Sequence, residues 1–201
     1  MGVLRRLGLL LLLLTPLAAW AGEAEDAQAV TAAYRSGDPT EADARLAAFL
    51  QQYPQSPHRC ALLLTAALAT RSQSTAISRL RGVEQECAAE PQGAEALAAL
   101  AHLQHLAGQE SAAYLVCRDF GQRYPDAPQA PDILLLQGAL EMRYRGGMQA
   151  GNAYASFLAK YPAHPLAVVA LVGVADAKVK RGEWAEAHQA YLQALKTDPS
   201  R

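Results

Sequence analysis

The sequence predicts an all-α protein, an α-solenoid of about five helical hairpins, and three observations support this prediction. Alanine makes up 43 of the 201 residues, whereas isoleucine occurs only at Ile77 and Ile133, a composition that favours helices over sheets. Apolar residues recur with helical spacing between turns. Proline recurs with spacings of 37, 34, 37 and 37 along the series Pro54, Pro91, Pro125, Pro162 and Pro199. A period of this size is typical of a repeat protein.

The composition also excludes two broad classes of protein. Hydrophobic residues make up 51% of the chain and charged residues 18%, and the formal net charge is −1. A disordered chain needs low hydrophobicity and high net charge, and a nucleic-acid-binding protein needs a basic surface. We therefore expect a folded helical protein that does not bind nucleic acid.

Residues 1–21 have the three parts of a secretory signal peptide. Arg5 and Arg6 precede a leucine-rich apolar stretch, and small residues follow at Ala19 and Ala21, which fits cleavage after Ala21. The alternative is a signal anchor that stays in the membrane, but the apolar stretch is shorter than the ~20 residues that a span needs. We therefore expect an exported protein of a bacterial periplasm, with a net charge of −3 after cleavage and no membrane span.

The mature chain, residues 22–201, is predicted to form one domain of repeated units. The phrase Phe-x-x-x-Tyr-Pro-x-x-Pro occurs three times, at 49–57, 120–128 and 157–165. Between the prolines, each unit has a first apolar helix, a turn and an amphipathic second helix. The predicted hairpins span about 23–56, 57–91, 92–127, 128–164 and 165–199.

The last unit resembles the tetratricopeptide repeat. Its first helix is predicted over 166–180 and its second over 184–195, and the resemblance is carried by Gly182, Ala187, Tyr191, Ala194 and Pro199. A similar pattern recurs at Gly37, Ala42, Leu46, Phe49 and Pro54, at Gly108, Ala113, Cys117, Phe120 and Pro125, and at Gly147, Ala150, Tyr154, Phe157 and Pro162. The aromatic-proline phrase resembles the envelope subgroup of these repeats, which includes the Tol-Pal-associated cell-division coordinator and the outer-membrane assembly lipoprotein.

The resemblance implies a right-handed superhelix whose first helices line a concave groove. Such a groove suits an extended peptide or a partner helix better than a small metabolite. The implied function is a non-catalytic periplasmic scaffold or adaptor that binds a protein of the cell envelope and uses no cofactor. The alternatives are a subunit of an envelope assembly or secretion complex and a structural spacer without a specific ligand. The positions expected on the concave face are Thr31, Tyr34, Arg35, Ala61, Thr65, His102, His105, Leu135, Met142, Arg143, Val172, Asp176 and Lys180.

A rival function of a different class rests on His102 and His105. Their spacing of three places them on one face of a helix, where both could bind a metal. No third ligand is indicated by the spacing, and no glutamate completes a His-Glu-x-x-His motif. We therefore predict polar groove residues here and no metal site, with a metal-binding protein or enzyme as the alternative.

The three cysteines predict one disulfide and one free thiol. Cys60 lies near the start of a first helix and Cys87 near the end of the second helix of the same hairpin. These ends are neighbours in an antiparallel hairpin, so a disulfide would brace a unit that lacks the aromatic-proline phrase, by about 3 kcal/mol. Cys117 occupies a core position of its unit and is expected to be a buried free thiol.

The outer face of the last predicted hairpin is a candidate for self-association. A terminal repeat needs a polar outer face to stay soluble, and no capping helix is predicted after Pro199. We expect another copy or a partner to cover this face.

Overall fold

The computed structural model of the protein describes residues 15–197, with side chains described from residue 22 onward. This part of the chain forms ten α-helices and contains no strand. The helices are α1 (Thr15–Ser36), α2 (Pro39–Gln52), α3 (Arg59–Leu68), α4 (Gln73–Glu86), α5 (Pro91–Leu106), α6 (Glu110–Arg123), α7 (Ala130–Tyr144), α8 (Gly147–Lys160), α9 (Ala167–Lys180) and α10 (Trp184–Thr197).

Consecutive helices pack in pairs, so the five predicted hairpins are confirmed. One compact unit, Met1–Cys87, contains the hairpins α1–α2 and α3–α4; a second, Ala88–Arg201, contains α5–α6, α7–α8 and α9–α10. The helices predicted over 166–180 and 184–195 agree with α9 and α10 to within two residues.

The predicted signal peptide lies largely outside the described residues. Its last part, residues 15–21, forms the start of α1, and cleavage after Ala21 stays a prediction. Between residues 15 and 197, no helix combines the length and the apolar character that a membrane span requires.

Short turns with a left-handed glycine separate the helices of four hairpins. The glycines are Gly37, Gly108, Gly146 and Gly182, with φ between 70° and 100°, a region where a Cβ atom would be strained. After the first of these turns, the Asp38 carboxylate begins α2 by accepting hydrogen bonds from the Thr40 and Glu41 N–H groups, at 3.0 and 3.1 Å. The α3–α4 turn lacks such a glycine, and there the Ser72 hydroxyl caps α4 by accepting from the Thr75 N–H.

The aromatic-proline phrase ends three of the second helices. The N–H of each tyrosine donates to the carbonyl of the phenylalanine four residues earlier at 2.7–2.8 Å, and the proline that follows cannot continue the helix. The two rings of each phrase lie in contact, with centroids 5.0, 5.7 and 5.4 Å apart, in the pairs Phe49–Tyr53, Phe120–Tyr124 and Phe157–Tyr161. In α4, Cys87 takes the tyrosine's place and its N–H donates to the Val83 carbonyl.

Glycine also lets helices approach closely in the second unit. The buried ring of Tyr154 lies between Gly138 of α7 and Gly173 of α9. A Cβ atom would lie 2.7 Å from the ring at Gly138 and 2.5 Å at Gly173, far inside van der Waals contact. The tyrosine therefore occupies space that only a missing side chain provides.

Candidate functional site

Four predicted concave-face residues meet in one open groove between the first helices of the first unit. The α1–α3 groove has a volume of about 510 Å³ and is lined by Ala24, Ala27, Gln28, Thr31, Ala32, Arg35, His58, Ala61, Leu62 and Thr65. Thr31 and Arg35 were predicted from α1, and Ala61 and Thr65 from α3. The groove lies between α1 and α3, which are the first helices of neighbouring hairpins; that it binds a partner stays a prediction.

Small side chains line much of the α1–α3 groove. Four of its ten lining residues are alanines, so a partner's main chain can approach the helices closely. The Thr31 and Thr65 hydroxyls donate to carbonyls of their own helices at 3.1 and 2.8 Å and keep acceptor capacity toward the groove. The exposed amide of Gln28 adds both a donor and an acceptor, and none of the lining residues is acidic.

A second cavity adjoins the groove at the inter-helix turns of the same two hairpins. This turn pocket has a volume of about 520 Å³ and is lined by Tyr34, Arg35, Gly37, Pro39, Asp43, Ala69, Thr70, Arg71, Ser72, Thr75 and Arg79. Arg35 lines both cavities, which makes them neighbours along α1. Tyr34, also predicted on the concave face, lies here rather than in the groove.

An ion-pair network forms one wall of the turn pocket and joins the two hairpins. The Tyr34 hydroxyl donates to one Asp43 oxygen at 2.6 Å, and the Arg79 guanidinium donates to the other at 2.6 Å. Arg79 also donates to the Ala66 carbonyl at 3.2 Å and to the Thr70 hydroxyl at 3.1 Å. The network thereby connects α1, α2, α3, α4 and the turn that follows α3.

The same contacts shift the ionisation of their members. The hydrogen bond from Arg79 is the largest cause that lowers the pKa of the Asp43 carboxyl below its usual value. Burial, followed by the hydrogen bond to Asp43, raises the pKa of the Tyr34 phenol. Asp43 is therefore a charged, fully engaged carboxylate at neutral pH.

Predicted residues at the α5–α6 turn form a separate polar cluster in the second unit. Nδ1 of His105 lies 2.8 Å from one oxygen of Glu110, and Arg143 donates to the other at 3.2 Å. His102 is exposed. Within residues 15–197, no group of three or more His, Cys, Asp or Glu side chains is arranged to hold a metal ion. Glu110, which begins α6, was absent from the predicted set.

The other predicted positions of the second unit differ in their surroundings. Leu135 and Met142 are partly buried and pack against the core around Phe157. Val172 is 37% exposed. Asp176 accepts a hydrogen bond from the Tyr191 hydroxyl, and Lys180 donates to the Met142 carbonyl.

Exposed apolar side chains lie on α10. Trp184 is 67% exposed, Leu192 37% and Leu195 50%. Self-association through this last hairpin stays a prediction.

The structure joins Cys60 and Cys87 by a disulfide, which is the predicted pairing. Their Cα atoms are 5.9 Å apart, and the bond links the start of α3 to the end of α4. Next to it, Arg59 and Glu86 form an ion pair between the same helix ends. Cys117 is a buried free thiol, and burial raises its pKa to about 12.

Comparisons with known proteins agree with this architecture. The tetratricopeptide repeat family model matches residues 4–56. A tetratricopeptide repeat protein from Parabacteroides merdae superposes with a TM-score of 0.67 at 18% identity, over 88% of this chain and 67% of that one. A structure of the MamA protein superposes with a TM-score of 0.66 at 16% identity, over 88% of this chain and 92% of that one. A search of curated proteins gives no match.

These findings support the predicted resemblance of this chain to the tetratricopeptide repeat family. They confirm the predicted all-α solenoid class. At such low identity the structural likeness concerns the fold. Proteins of this fold generally act as scaffolds for protein–protein interaction, because stacked repeats present extended binding surfaces.

Proposed function

We propose that this protein is a non-catalytic tetratricopeptide repeat scaffold of the bacterial periplasm, and that its α1–α3 groove holds a peptide or helix of a cell-envelope partner. The observation that supports this most is the meeting of Thr31, Arg35, Ala61 and Thr65 in one open groove. A groove lined by small side chains admits a main chain, and its hydroxyl and amide groups can bind the polar groups of that chain.

Two features of the chain support the proposed location. Residues 1–21 have the parts of a secretory signal, and the Cys60–Cys87 disulfide suits an oxidising compartment. The aromatic-proline phrase suggests the envelope subgroup of the family. A subunit of an envelope assembly or secretion complex is the alternative within the same class, and it would use the same groove.

Site-specific photo-crosslinking in intact cells tests this function. A photoreactive amino acid replaces Ala61, which is exposed in the groove, or Ala48, which is exposed on α2 and does not line it. We expect one reproducible envelope protein to crosslink at position 61, through a defined segment of its chain, and not at position 48. Purified copies of both proteins should then form the same crosslink.

The proposal is wrong if positions 61 and 48 capture the same proteins, or if position 61 captures none. A crosslink at position 61 to a protein that remains in the cytoplasm would contradict the proposed location but not the use of the groove.

A further inference from the structure

We propose that the partner segment is an acidic peptide, which lies along the α1–α3 groove and places carboxylate side chains between Arg35 and Arg71 in the turn pocket. This inference rests on the proposed function and adds the chemistry of the partner. Its basis is the charge of the pocket and the continuity of the pocket with the groove.

The turn pocket is large enough for side chains of a bound peptide. Its volume of about 520 Å³ falls in the range of ligand-binding clefts. Because Arg35 lines both cavities, a peptide in the groove reaches the pocket without leaving α1. The pocket therefore adjoins the groove at Arg35.

Two guanidinium groups in this pocket have no acidic partner. Arg35 near the end of α1 and Arg71 in the α3–α4 turn are both exposed. Neither guanidinium forms a hydrogen bond or an ion pair with the residues whose side chains the structure describes, 22–197. Arginine presents a planar fork of donors that matches a carboxylate, so each can bind one carboxylate through two hydrogen bonds.

The nearby acidic side chains are engaged elsewhere. Asp43, the one acidic lining residue of the pocket, accepts from both Tyr34 and Arg79. Asp38 caps α2, and Glu41 pairs with Arg45 at 2.6 Å. The pocket thus carries two uncompensated positive charges.

A short acidic peptide fits these charges better than a long polyanion does. The groove adds only His58 to the basic residues that line the pocket, and the chain as a whole carries a net charge of −1. A nucleic acid would need many basic contacts, whereas two carboxylates are enough to pair Arg35 and Arg71.

Selection from a random dodecapeptide library on the full chain tests the inference. The double variant carries Arg35→Gln and Arg71→Gln together. The matched control is Arg81→Gln, because Arg81 is exposed on α4 and lines neither cavity. We expect selection on the wild-type protein to enrich peptides with at least two Asp or Glu residues. The double variant should bind these peptides about tenfold more weakly, and the control should bind them as the unchanged protein does.

Three further binding measurements and one control for folding sharpen the result. Replacing Glu by Gln in an enriched peptide should weaken its binding by a similar factor, and so should raising NaCl from about 0.05 to about 0.5 M. The variant with Arg35→Lys and Arg71→Lys, which keeps the charges but loses the forks, should bind with intermediate affinity. Circular dichroism checks that every variant keeps its helices.

The inference is wrong if no peptide is enriched, if enriched peptides lack acidic residues, or if the double variant binds acidic peptides as tightly as the control does. It is also wrong if inorganic phosphate displaces the peptide at concentrations near the peptide's own Kd, since the pocket would then be a small-anion site. Crosslinking at position 61 that persists in any of these cases would leave the proposed function standing.

Discussion

Arg79 is the side chain that joins the two hairpins of the first unit. Its guanidinium binds Asp43 of α2 and, at the same time, the Ala66 carbonyl and the Thr70 hydroxyl of the next hairpin. An isolated surface ion pair contributes little to stability. Here one guanidinium satisfies three acceptors, so removing Asp43 affects both the charge balance and the position of Arg79.

We predict that Asp43→Asn lowers the free energy of unfolding by about 1 kcal/mol or less at pH 7, because both partners are partly exposed. The pKa of Asp43 is lowered in the folded state. Its stabilising contribution is therefore fully present above the unfolded value of about 3.9 and is lost as the pH falls through the lower folded pKa.

Urea unfolding of the wild-type protein and of the Asp43→Asn variant, between pH 7 and pH 2, measures how the contribution of Asp43 to stability depends on pH. The difference between them should be constant above about pH 5 and should shrink in acid. Asp132→Asn, at an exposed position in the first turn of α7, is the control. A difference that grows as the pH falls would contradict the assignment.

At the scale of the helix, α8 packs closely against both α7 and α9 in the second unit. Tyr154 of α8 contacts both α7 and α9 because Gly138 and Gly173 leave room for its ring. The ring cannot move away from one glycine without meeting the other. Added volume at either position therefore separates the helices.

Gly173→Ala should destabilise the protein by about 1–3 kcal/mol, since overpacking a buried contact forces the helices apart. The matched control is Gly121→Ala in α6, where a Cβ atom meets nothing within 4 Å. There the same change should stabilise the protein by about 0.5–1 kcal/mol, through the better helix propensity of alanine. Thermal unfolding of both variants decides the matter: equal shifts of Tm with the same sign would show that the Tyr154 contact has no such role.

The α3–α4 hairpin depends on a covalent bond where three others have the aromatic-proline phrase. The Cys60–Cys87 disulfide links positions 27 residues apart, a loop for which cross-linking contributes about 3 kcal/mol. Reductant should lower the Tm of the unchanged protein and leave that of the Cys60→Ala, Cys87→Ala variant unchanged. Mass spectrometry that finds three free thiols in protein from an oxidising compartment would rule out the disulfide.

For the whole molecule, the features that repeat along the chain were predictable from the sequence. Proline spacing and the aromatic phrase predicted the hairpins, and the antiparallel arrangement of one hairpin predicted the pairing of Cys60 with Cys87. The positions expected on the concave face were implied by the resemblance to the tetratricopeptide repeat, and their role in binding stays a prediction. The hairpins and the disulfide depend on local helical geometry, which the sequence encodes directly.

The turn pocket was not predictable in the same way. Asp43 and Arg79 lie on second helices and meet across two hairpins, at a distance that depends on how the hairpins stack. Arg71 lies in a turn without a repeat signature. Long side chains at turn ends find their partners only in the folded structure, so periodicity places their Cα atoms but does not reveal their contacts.

Export should leave the α1–α3 groove intact. All residues that line the α1–α3 groove follow Ala21, beginning with Ala24, so cleavage at that position removes the start of α1 and none of the groove. We predict that the chain, expressed in a bacterium with its own N-terminus, fractionates with periplasmic markers and begins at Gly22 by N-terminal sequencing. Ala19→Asp should block cleavage, because signal peptidase needs a small residue there, and the longer precursor should accumulate. Recovery of uncleaved chain from the cytoplasm, with Cys60 and Cys87 both reduced, would contradict export and would place the partner in a different compartment.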